Sequence, residues 1–381
     1  MLLIDTSRAS ERGILLGVAK YSQLFGPWML STLAPLYIRS RVGRRGTVVR
    51  EETVCDGMIV SLQEICEGFD SLKIPLVGVD VSKPIRGVPN VVGNPDAIAA
   101  MAVQHFLERG FKRFAYCGFK SINWAEERCT SFCRQLADAG YRVHTYELSS
   151  RRGKVPWYKE KYIISEWLQR LPMPIALFAC NDECASQVSN ASQIAGLRIP
   201  DDIAILGVDN DELVCACNYP PLSSVALDFE RAGFDAAQLL NELMAHRKKS
   251  EGQKITIRPT HVVTRQSTDV LAIEDPVVAE AVRFIRANCR RPIQVPDVLK
   301  EVTISRRSLY DRFKRALGCS VYEYVKRVRV MEIERLLFET DYSVTEIAGL
   351  VGFSTPDHIA SYFRSVRGIN PLTLRLRRTS R

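Results

Sequence analysis

Long side chains that donate hydrogen bonds are concentrated in one short stretch of the chain, residues 305–318. Leu309 and Phe313 stand four residues apart there, as on the inward face of a helix, and most positions around them hold Arg, Lys, Ser or Tyr. An apolar back with projecting donors near the helix start is the form of a recognition helix that enters the major groove of DNA. The candidate DNA-contacting residues of this stretch are Arg306, Arg307, Ser308, Tyr310 and Arg312.

The same pattern recurs about fifty residues later. When "PDVLKEVTISRRSLYDRFKRALG" (296–318) is aligned with "TEIAGLVGFSTPDHIASYFRSVRG" (345–368), the apolar positions match at an offset of 49 residues before the turn and 50 after it. Such self-similarity indicates a repeated structural unit. Each copy predicts a helix-turn-helix unit, over about 295–318 and 344–368. The second copy adds the candidate DNA contacts Thr355, Asp357, Ser361 and Arg364.

Local signals place the helix ends of these units. Ser305 predicts a cap for the second helix of the first copy, and Ser343 with Glu346 predicts a capping box in the second copy. Gly352 falls where a tight turn needs a positive φ. Between the copies, residues 321–340 contain no Gly or Pro, which predicts one long helix that holds two readers on successive major-groove segments, about 34 Å apart.

The net charge is unevenly distributed along the 381 residues. Residues 276–381 carry 20 Lys and Arg and 11 Asp and Glu, a balance of +9 that equals the charge of the whole chain. A basic segment attached to a neutral one indicates a polyanion partner for that segment. A Lys- and Arg-rich solvated helical surface without nucleic acid is the alternative reading of the charge alone.

A second group of polar residues follows predicted strands in the first 270 residues. Strands are predicted at "LLID", "DGMIV", "PLVGV", "RFAYCGF", "IALFACN" and "DIAILGVD", with helices between them such as 96–109 and 183–195. Ligands bind at the carboxyl ends of strands in open parallel sheets, and a sugar needs both donors and acceptors there. The candidate ligand residues are Ser7, Arg8, Trp124, Arg128, Asn181, Asp182 and Asp209. A helix N-cap is the alternative role for Asp182 and for Asp209.

Several classes of function lack a signature. Dinucleotide, P-loop, zinc-protease and serine-hydrolase motifs are absent from the sequence, and the five histidines lie far apart, so no enzyme, metal site or cofactor is predicted. Eleven scattered cysteines without a C-x-x-C pair predict reduced thiols. No run of 18 apolar residues and no export signal are found, so a cytoplasmic protein is expected.

Over residues ~276–377 the chain resembles the DNA-binding domain of AraC-type transcription regulators. The stretch "SVTEIAGLVGFSTPDHIASYFRSVRGINPLTLR" carries the resemblance, through Ile347-Ala348, Gly352-Phe353-Ser354, Phe363, Gly368 and Pro371. Most of residues 1–266 resembles the effector-binding core of LacI-type repressors and periplasmic sugar-binding proteins, on "HFLERGFKRFAYCG" and "FACNDECASQVSNASQIAGLRIPDDIAILGVDNDEL". This second resemblance implies ligand contacts by Arg128, Asn181, Asp182 and Asp209.

Together the two resemblances imply one architecture. A two-lobed α/β sensor of the periplasmic-binding-protein type, with parallel sheets and helices on both faces, is expected over residues 1–270. An all-α domain with two helix-turn-helix units is expected over residues 271–381. The implied function is a transcription regulator that binds double-stranded operator DNA as a homodimer, responds to a pentose such as D-xylose and contacts RNA polymerase. The alternative is a cytosolic sugar-binding protein whose C-terminal helices bind a protein partner.

Overall fold

The chain divides into two compact units, Met1–Ala272 and Ile273–Arg381. The structure is a computed structural model and describes residues 2–4, 6–31, 55–60, 74–79, 87–120, 122–148, 156–245, 253–270, 273, 275–340 and 342–379. Within these ranges the first unit alternates strands and helices, and the second unit is helical.

The first lobe of the first unit contains a parallel sheet, ordered β1-β2-β3-β4-β10 among the described residues. Its strands are β1 (Leu2–Leu3), β2 (Met58–Val60), β3 (Leu76–Val79), β4 (Asn90–Gly93) and β10 (Lys254–Ile257). Helices α1 (Ala9–Phe25) and α7 (Phe229–Met244) share an apolar core with it. The predicted strands near residues 2, 58 and 76 are confirmed.

The second lobe contains a sheet ordered β11-β9-β8-β7-β5-β6, parallel except for β11. Its strands are β5 (Phe114–Phe119), β6 (Val143–Leu148), β7 (Ile175–Ala179), β8 (Ile203–Val208), β9 (Ser223–Leu227) and β11 (Pro259–Val263). Its helices are α2 (Pro95–Leu107), α3 (Asn123–Asp138), α4 (Trp157–Leu168), α5 (Asp182–Ile194) and α6 (Glu212–Ala216). Every residue of β7 and β8 is buried, as expected for central strands covered on both faces.

The chain passes between the lobes at residues 93–95, 227–229 and 257–259. Two of these crossings bond to the third, since Asn94 N donates to Ile257 O at 3.3 Å and Asp228 N donates to Arg258 O at 3.0 Å. Adjacent crossings of this kind let two lobes share one cleft, and the cleft is where a ligand would contact both.

Helix α1 is fixed by a close crossing with α7. A Cβ atom on Gly17 would lie 2.0 Å from Glu230 O, and one on Gly233 would lie 2.1 Å from Ile14 O. Only glycine allows the two backbones to approach this closely. The crossing determines where the N-terminus of α1 points, and that end of the helix lies at the cleft.

The second unit has the predicted tandem arrangement. Its helices are α8 (Pro276–Ala287), α9 (Val295–Val302), α10 (Arg306–Leu317), α11 (Val321–Glu339), α12 (Val344–Leu350), α13 (Pro356–Arg367) and α14 (Pro371–Thr379). The pairs α9–α10 and α12–α13 are the two helix-turn-helix units. The long helix α11 connects them, at about 1.5 Å per residue.

The predicted helix ends of the second unit are confirmed. Ser305 caps α10, and Ser343 with Glu346 forms a capping box at the start of α12; Thr355, given above as a DNA contact, caps α13. Gly352 has φ +70, as the turn requires. The side chains that hold each second helix inward are fully buried, namely Leu309, Phe313, Ile359 and Phe363.

The described residues bear on the predictions of reduced cysteines and of no membrane-spanning segment. Every cysteine among them is free, and Cys66 lies outside them. None of their helices combines the length and the apolar composition that crossing a bilayer requires.

Candidate functional site

A cavity lies between the two lobes of the first unit, with about 470 Å³ of unfilled space that includes its opening to solvent. Four of the predicted ligand residues line it: Arg8, Trp124, Arg128 and Asp209. Residues from both lobes contribute to the wall, so a ligand that filled the cavity would contact both. Such a ligand would favour the closed arrangement of the lobes, because it gains contacts with both of them only there.

Arg128 is the central donor of this cavity. It lies on α3, only 4% exposed, and its Nη1 donates to the carbonyl oxygen of Cys180 at 2.5 Å. Its Nη2 is 3.6 Å from Oδ1 of Asp209, and its Cζ lies 4.9 Å from the centroid of the Trp124 ring. A guanidinium held in place from three directions presents its remaining N–H groups to the cavity in a fixed orientation.

Asp209 follows directly after β8, at the carboxyl end of a central strand. Its backbone has φ 101 and that of Asn210 has φ 53, conformations that residues other than glycine rarely adopt. The amide of Asp209 donates to Val225 O at 3.0 Å, which ties the residue to β9. A carboxylate placed here can accept hydrogen bonds from sugar hydroxyls.

The start of α1 brings charged groups from the first lobe to the second. Arg8 is the residue before α1, and its Nε is 3.2 Å from Oε1 of Glu183 in α5. Burial raises the pKa of Glu183, and the neighbouring Arg8 opposes that rise. The side chain of Ser7 is not part of the cavity wall, and the carbonyl of Ser7 accepts from Nη1 of Arg12 at 2.7 Å.

Asn181 and Asp182 stand behind the cavity rather than on its wall. Asn181 caps α5 by accepting from the amide of Cys184 at 3.0 Å. Asp182 is 1% exposed, and its two carboxylate oxygens accept from Ser224 Oγ at 2.6 Å and from the amide of Asp211 at 2.7 Å. Burial raises the pKa of Asp182 well above its usual range, and the nearby Asp209 raises it further. The structure therefore gives both residues a role in supporting the residues that line the cavity.

Six further residues that line the cavity are not among the ligand residues predicted from the sequence. Polar contributions come from Ser10 and Glu11 on the first turn of α1, and apolar ones from Ile14, Val79, Phe229 and Ile257. Glu11 lies three residues after Arg8, which places it on the same face of a helix. That spacing was the available signal for Glu11, whereas Phe229 and Ile257 join the wall only because the chain returns to the first lobe late in the sequence.

In the second unit, Arg306 and Arg307 are exposed at the start of α10. Cζ of Arg306 lies 5.7 Å from the centroid of the Tyr310 ring. Ser308 is half-buried, and its amide donates to Oγ of Ser305. Arg307 lies on the opposite side of the helical wheel from the buried pair Leu309 and Phe313, so it projects away from the domain core.

Arg312 has a different environment from the other predicted donors of α10. Its Nη1 is 3.1 Å from Oδ1 of Asp275 and 3.2 Å from Oδ2, and Asp275 is the N-cap of α8. The side chain is half-buried and connects α10 to α8. This ion pair gives Arg312 a role in holding the recognition helix in place.

The second recognition helix, α13, presents a weaker set of donors. Asp357, Ser361 and Arg364 are exposed on its outer face, and Thr355 is exposed where it caps the helix. Nε of Arg364 donates to Oδ1 of Asn370 at 2.7 Å, near the start of α14. Asp357 occupies the position that Arg307 holds in α10, so the two recognition helices carry opposite charges at this exposed position.

Among the described residues, no group of three His, Cys, Asp or Glu side chains is placed to hold a metal ion. The chemistry of the cavity is thus that of hydrogen-bond donors, carboxylates and apolar surface, and the chemistry of the two recognition helices is that of groove-facing polar side chains.

Family models match both units. Residues 103–268 match the periplasmic binding protein-like domain, and residues 298–377 match a helix-turn-helix domain. The chain is 27% identical over 380 residues to the xylose operon regulatory protein of Escherichia coli strain K12, covering 97% of this chain and 95% of that one. It is 28% identical over 384 residues to the xylose operon regulatory protein of Haemophilus influenzae, covering 98% and 97%.

Solved structures agree with this match. The structure of the xylose-binding transcription activator XylR superposes with a TM-score of 0.77 at 26% identity, covering 98% of this chain and 96% of that one. A LacI family regulator from Enterococcus faecalis with bound ribose gives a TM-score of 0.51 at 20% identity, covering 70% of this chain and 96% of that one. The second likeness shows the fold of the sensor unit only. The full-length relatives are transcription regulators and not enzymes.

Proposed function

We propose that the effector of this chain, a sugar-responsive, DNA-binding transcription regulator related along nearly its whole length to the xylose operon regulatory proteins, is a pentose, D-xylose before the others. The observation that carries the proposal is Arg128, buried at the cleft between Asp209 and Trp124. A buried fork of donors beside a carboxylate and an aromatic ring provides polar and apolar recognition for a small, uncharged, hydroxyl-rich molecule. Control of pentose catabolism genes is the corresponding role.

The cavity wall supports this class of ligand in detail. Arg128 supplies donors, Asp209 and Glu11 supply acceptors, and Ser10 can do either. Trp124 and Phe229 supply surface for the carbon face of a sugar ring. Ser7, Asn181 and Asp182 act in our proposal through the backbone and the hydrogen bonds that fix the wall.

Calorimetric titration of the full-length protein with D-xylose, L-arabinose, D-ribose and D-glucose tests the effector. We expect saturable binding of D-xylose and weaker binding of D-glucose, whose additional hydroxymethyl group must also be accommodated. The absence of saturable heat with every pentose, from a protein that still binds DNA, would contradict a pentose effector.

We further propose that α10 is the stronger of the two DNA readers and that Arg307 contacts a base. Arg307→Ala should weaken operator binding by about 1–3 kcal/mol and relax the base preference at one position. Arg315→Ala, which removes an exposed cation from the same helix, should weaken binding to all duplexes alike and reduce the salt slope. Binding of both variants to an operator library at several salt concentrations distinguishes the two roles. An operator affinity and base preference that do not change in Arg307→Ala would remove Arg307 from the interface.

Homodimerisation of the sensor unit is part of the proposal. Large apolar side chains are exposed on α1 and on the segment that follows β8: Leu16, Leu24, Phe25, Leu213 and Tyr219. Apolar side chains of this size are typical of protein interfaces where they form a contiguous patch. A second copy of the chain is the occupant we propose, because a dimer places two DNA-binding units on paired half-sites.

The double substitution of Leu213 and Tyr219 by Glu should shift the protein from dimer to monomer at micromolar concentration, because two charges would have to be buried at the interface. Analytical ultracentrifugation measures the mass directly. Leu372→Glu changes an exposed leucine in the other unit and should leave the mass unchanged. An unchanged dimer in the double variant would place the interface elsewhere.

In the cell we propose that the protein acts in the cytoplasm, where chromosomal DNA is. Sugar binding would move its DNA engagement from distant half-sites to adjacent ones beside a promoter, by the difference in sugar affinity between open and closed lobes. From that position the DNA-binding unit would contact RNA polymerase.

A further inference from the structure

Three consecutive residues after β8 each bond to a different part of the first unit. Asp209 lines the cavity and lies 3.6 Å from Nη2 of Arg128. Oδ1 of Asn210 accepts from Nη2 of Arg265 at 2.8 Å. Oδ2 of Asp211 accepts from the amide of Ala9 at 2.9 Å and from Nη2 of Arg12 at 3.3 Å, both at the start of α1 in the first lobe.

Arg265 belongs to the last segment of the sensor unit before the chain enters the DNA-binding unit. Its Nη1 donates to Leu222 O at 2.9 Å, and its amide donates to Oγ of Ser223 at 2.8 Å. A short 3-10 helix, Gln266–Thr268, follows it. The sequence connection to the second unit is therefore only a few residues long.

This exit segment is held firmly against the central strands of the second lobe. Oγ of Ser267 donates to Ile205 O at 2.6 Å and accepts from the amide of Ser223 at 2.8 Å. Oγ1 of Thr268 is 2.8 Å from Nε2 of the buried His105. Ser267 and Thr268 are both fully buried, so Arg265 and the exit segment belong to one hydrogen-bonded network with the central strands.

The backbone between these attachments is in an unusual conformation. Asp209 and Asn210 both have positive φ without being glycine, which places them in a sparsely populated region that surrounding contacts must maintain. A change at the carboxylate of Asp209 that alters its backbone also turns the amide plane that Asn210 shares. The hydrogen bond from Arg265 to Asn210 is then the first contact outside the cleft to be affected.

We propose that the Asn210–Arg265 hydrogen bond transmits sugar occupancy at Asp209 to the exit segment, and so to operator binding. This inference rests on the proposed sugar effector. It assigns to Arg265 a coupling role without contact to sugar or to DNA. Arg265 is a positioning residue in this account, and its removal should separate sugar binding from the DNA response.

The test uses the full-length protein, D-xylose, and a duplex selected by the wild-type protein from a random pool. Asn210→Gly removes the side-chain acceptor but tolerates positive φ, whereas Asn210→Asp keeps an acceptor at a residue type that also tolerates it. We expect Asn210→Gly to bind D-xylose within about threefold of wild type while the sugar-dependent change in operator affinity, typically about 5- to 150-fold in coupled systems, falls to less than about twofold. Asn210→Asp should retain the change.

Arg265→Met removes the donors from the other side of the bond. It should likewise preserve D-xylose binding and remove the sugar-dependent change in operator affinity. In the double variant Asn210→Gly/Arg265→Met, the two losses of sugar-dependent change in operator affinity should not add, because both substitutions break the same hydrogen bond. A wild-type sugar response in Asn210→Gly or in Arg265→Met would overturn the inference. If wild type binds no pentose at all, the proposed effector fails instead, and the two failures are thereby distinguished.

Discussion

Replacing Arg128 by Met should abolish the sugar response and leave operator binding by the sugar-free protein intact. The substitution keeps most of the side-chain length but removes every donor that residue 128 presents to the cavity. A hydrogen bond to a charged group contributes about 1.5–3 kcal/mol, so loss of two such bonds to sugar should weaken binding at least about a hundredfold. Calorimetry with D-xylose and operator titrations with and without sugar measure the two effects separately.

Arg128→Met has a structural cost that must be separated from its effect on ligand binding. The carbonyl of Cys180 loses its donor, and Asp209 loses the cation 3.6 Å away. Arg134→Met is the matched control, because Arg134 lies on the same helix but pairs with the exposed Asp96. We expect Arg134→Met to bind D-xylose as wild type does. Wild-type xylose affinity in a folded Arg128→Met variant would show that the sugar site lies elsewhere.

The fold could be predicted from the sequence because its signals are local. Fully buried strands such as Ile175–Ala179 are continuous apolar runs, and the caps Ser305 and Ser343 mark helix starts directly. Strands such as β6 and β10 gave no comparable signal, because they are partly exposed and carry polar residues at the sheet edge. The antiparallel strand β11 is likewise defined by its pairing with β9 and not by its own composition.

The candidate site could be predicted only in part. Arg8 and Asp209 lie at strand ends that the alternation of strands and helices identifies, and the structure places both on the cavity wall. Asn181 is predicted as a ligand residue by the same argument, but its side chain caps α5. A polar residue between a strand and a helix can accept a hydrogen bond from a free backbone amide of the helix as easily as from a ligand. The sequence cannot separate these roles, since both require the same residue types at the same place.

Contacts between residues that are far apart in the sequence account for the other differences between predicted and observed side-chain roles. Arg312 was predicted as a DNA contact from its charge and helical position, and its partner Asp275 is 37 residues away. Asp211 was not singled out, although it joins the two lobes through Ala9 and Arg12. Each of these contacts depends on how the folded elements meet, and neither residue type nor spacing contains that information.

The second helix-turn-helix unit is attached to the rest of the DNA-binding unit by a buried arginine that is not among the predicted DNA contacts. Arg329 on α11 is 4% exposed, and its guanidinium donates to the carbonyls of Cys289 and Arg291, which follow α8, and of Val351, which follows α12. Its Cζ lies 4.7 Å from the centroid of the Phe353 ring. Gly352 packs against the same segment, since a Cβ there would lie 3.1 Å from Arg290 O. Arg329 thus joins the turn of the second helix-turn-helix unit to the connection that precedes the first.

Arg329→Met should therefore destabilise the DNA-binding unit by about 3–5 kcal/mol, because one buried and two partly buried carbonyls lose their donor and each unsatisfied group costs about 1–3 kcal/mol. Circular dichroism at 222 nm follows the helices of both units, whereas all four tryptophans lie in residues 28–167, so the ellipticity transition that tryptophan fluorescence does not follow belongs to the DNA-binding unit. The ellipticity transition should shift to lower denaturant while the fluorescence transition stays in place, and operator affinity should fall with it. Arg327→Met, on the exposed face of the same helix, should change stability by less than about 0.5 kcal/mol. Equal stability of the two variants would mean that water satisfies the three carbonyls, and that the packing around Phe353 and Gly352 holds the turn without the guanidinium.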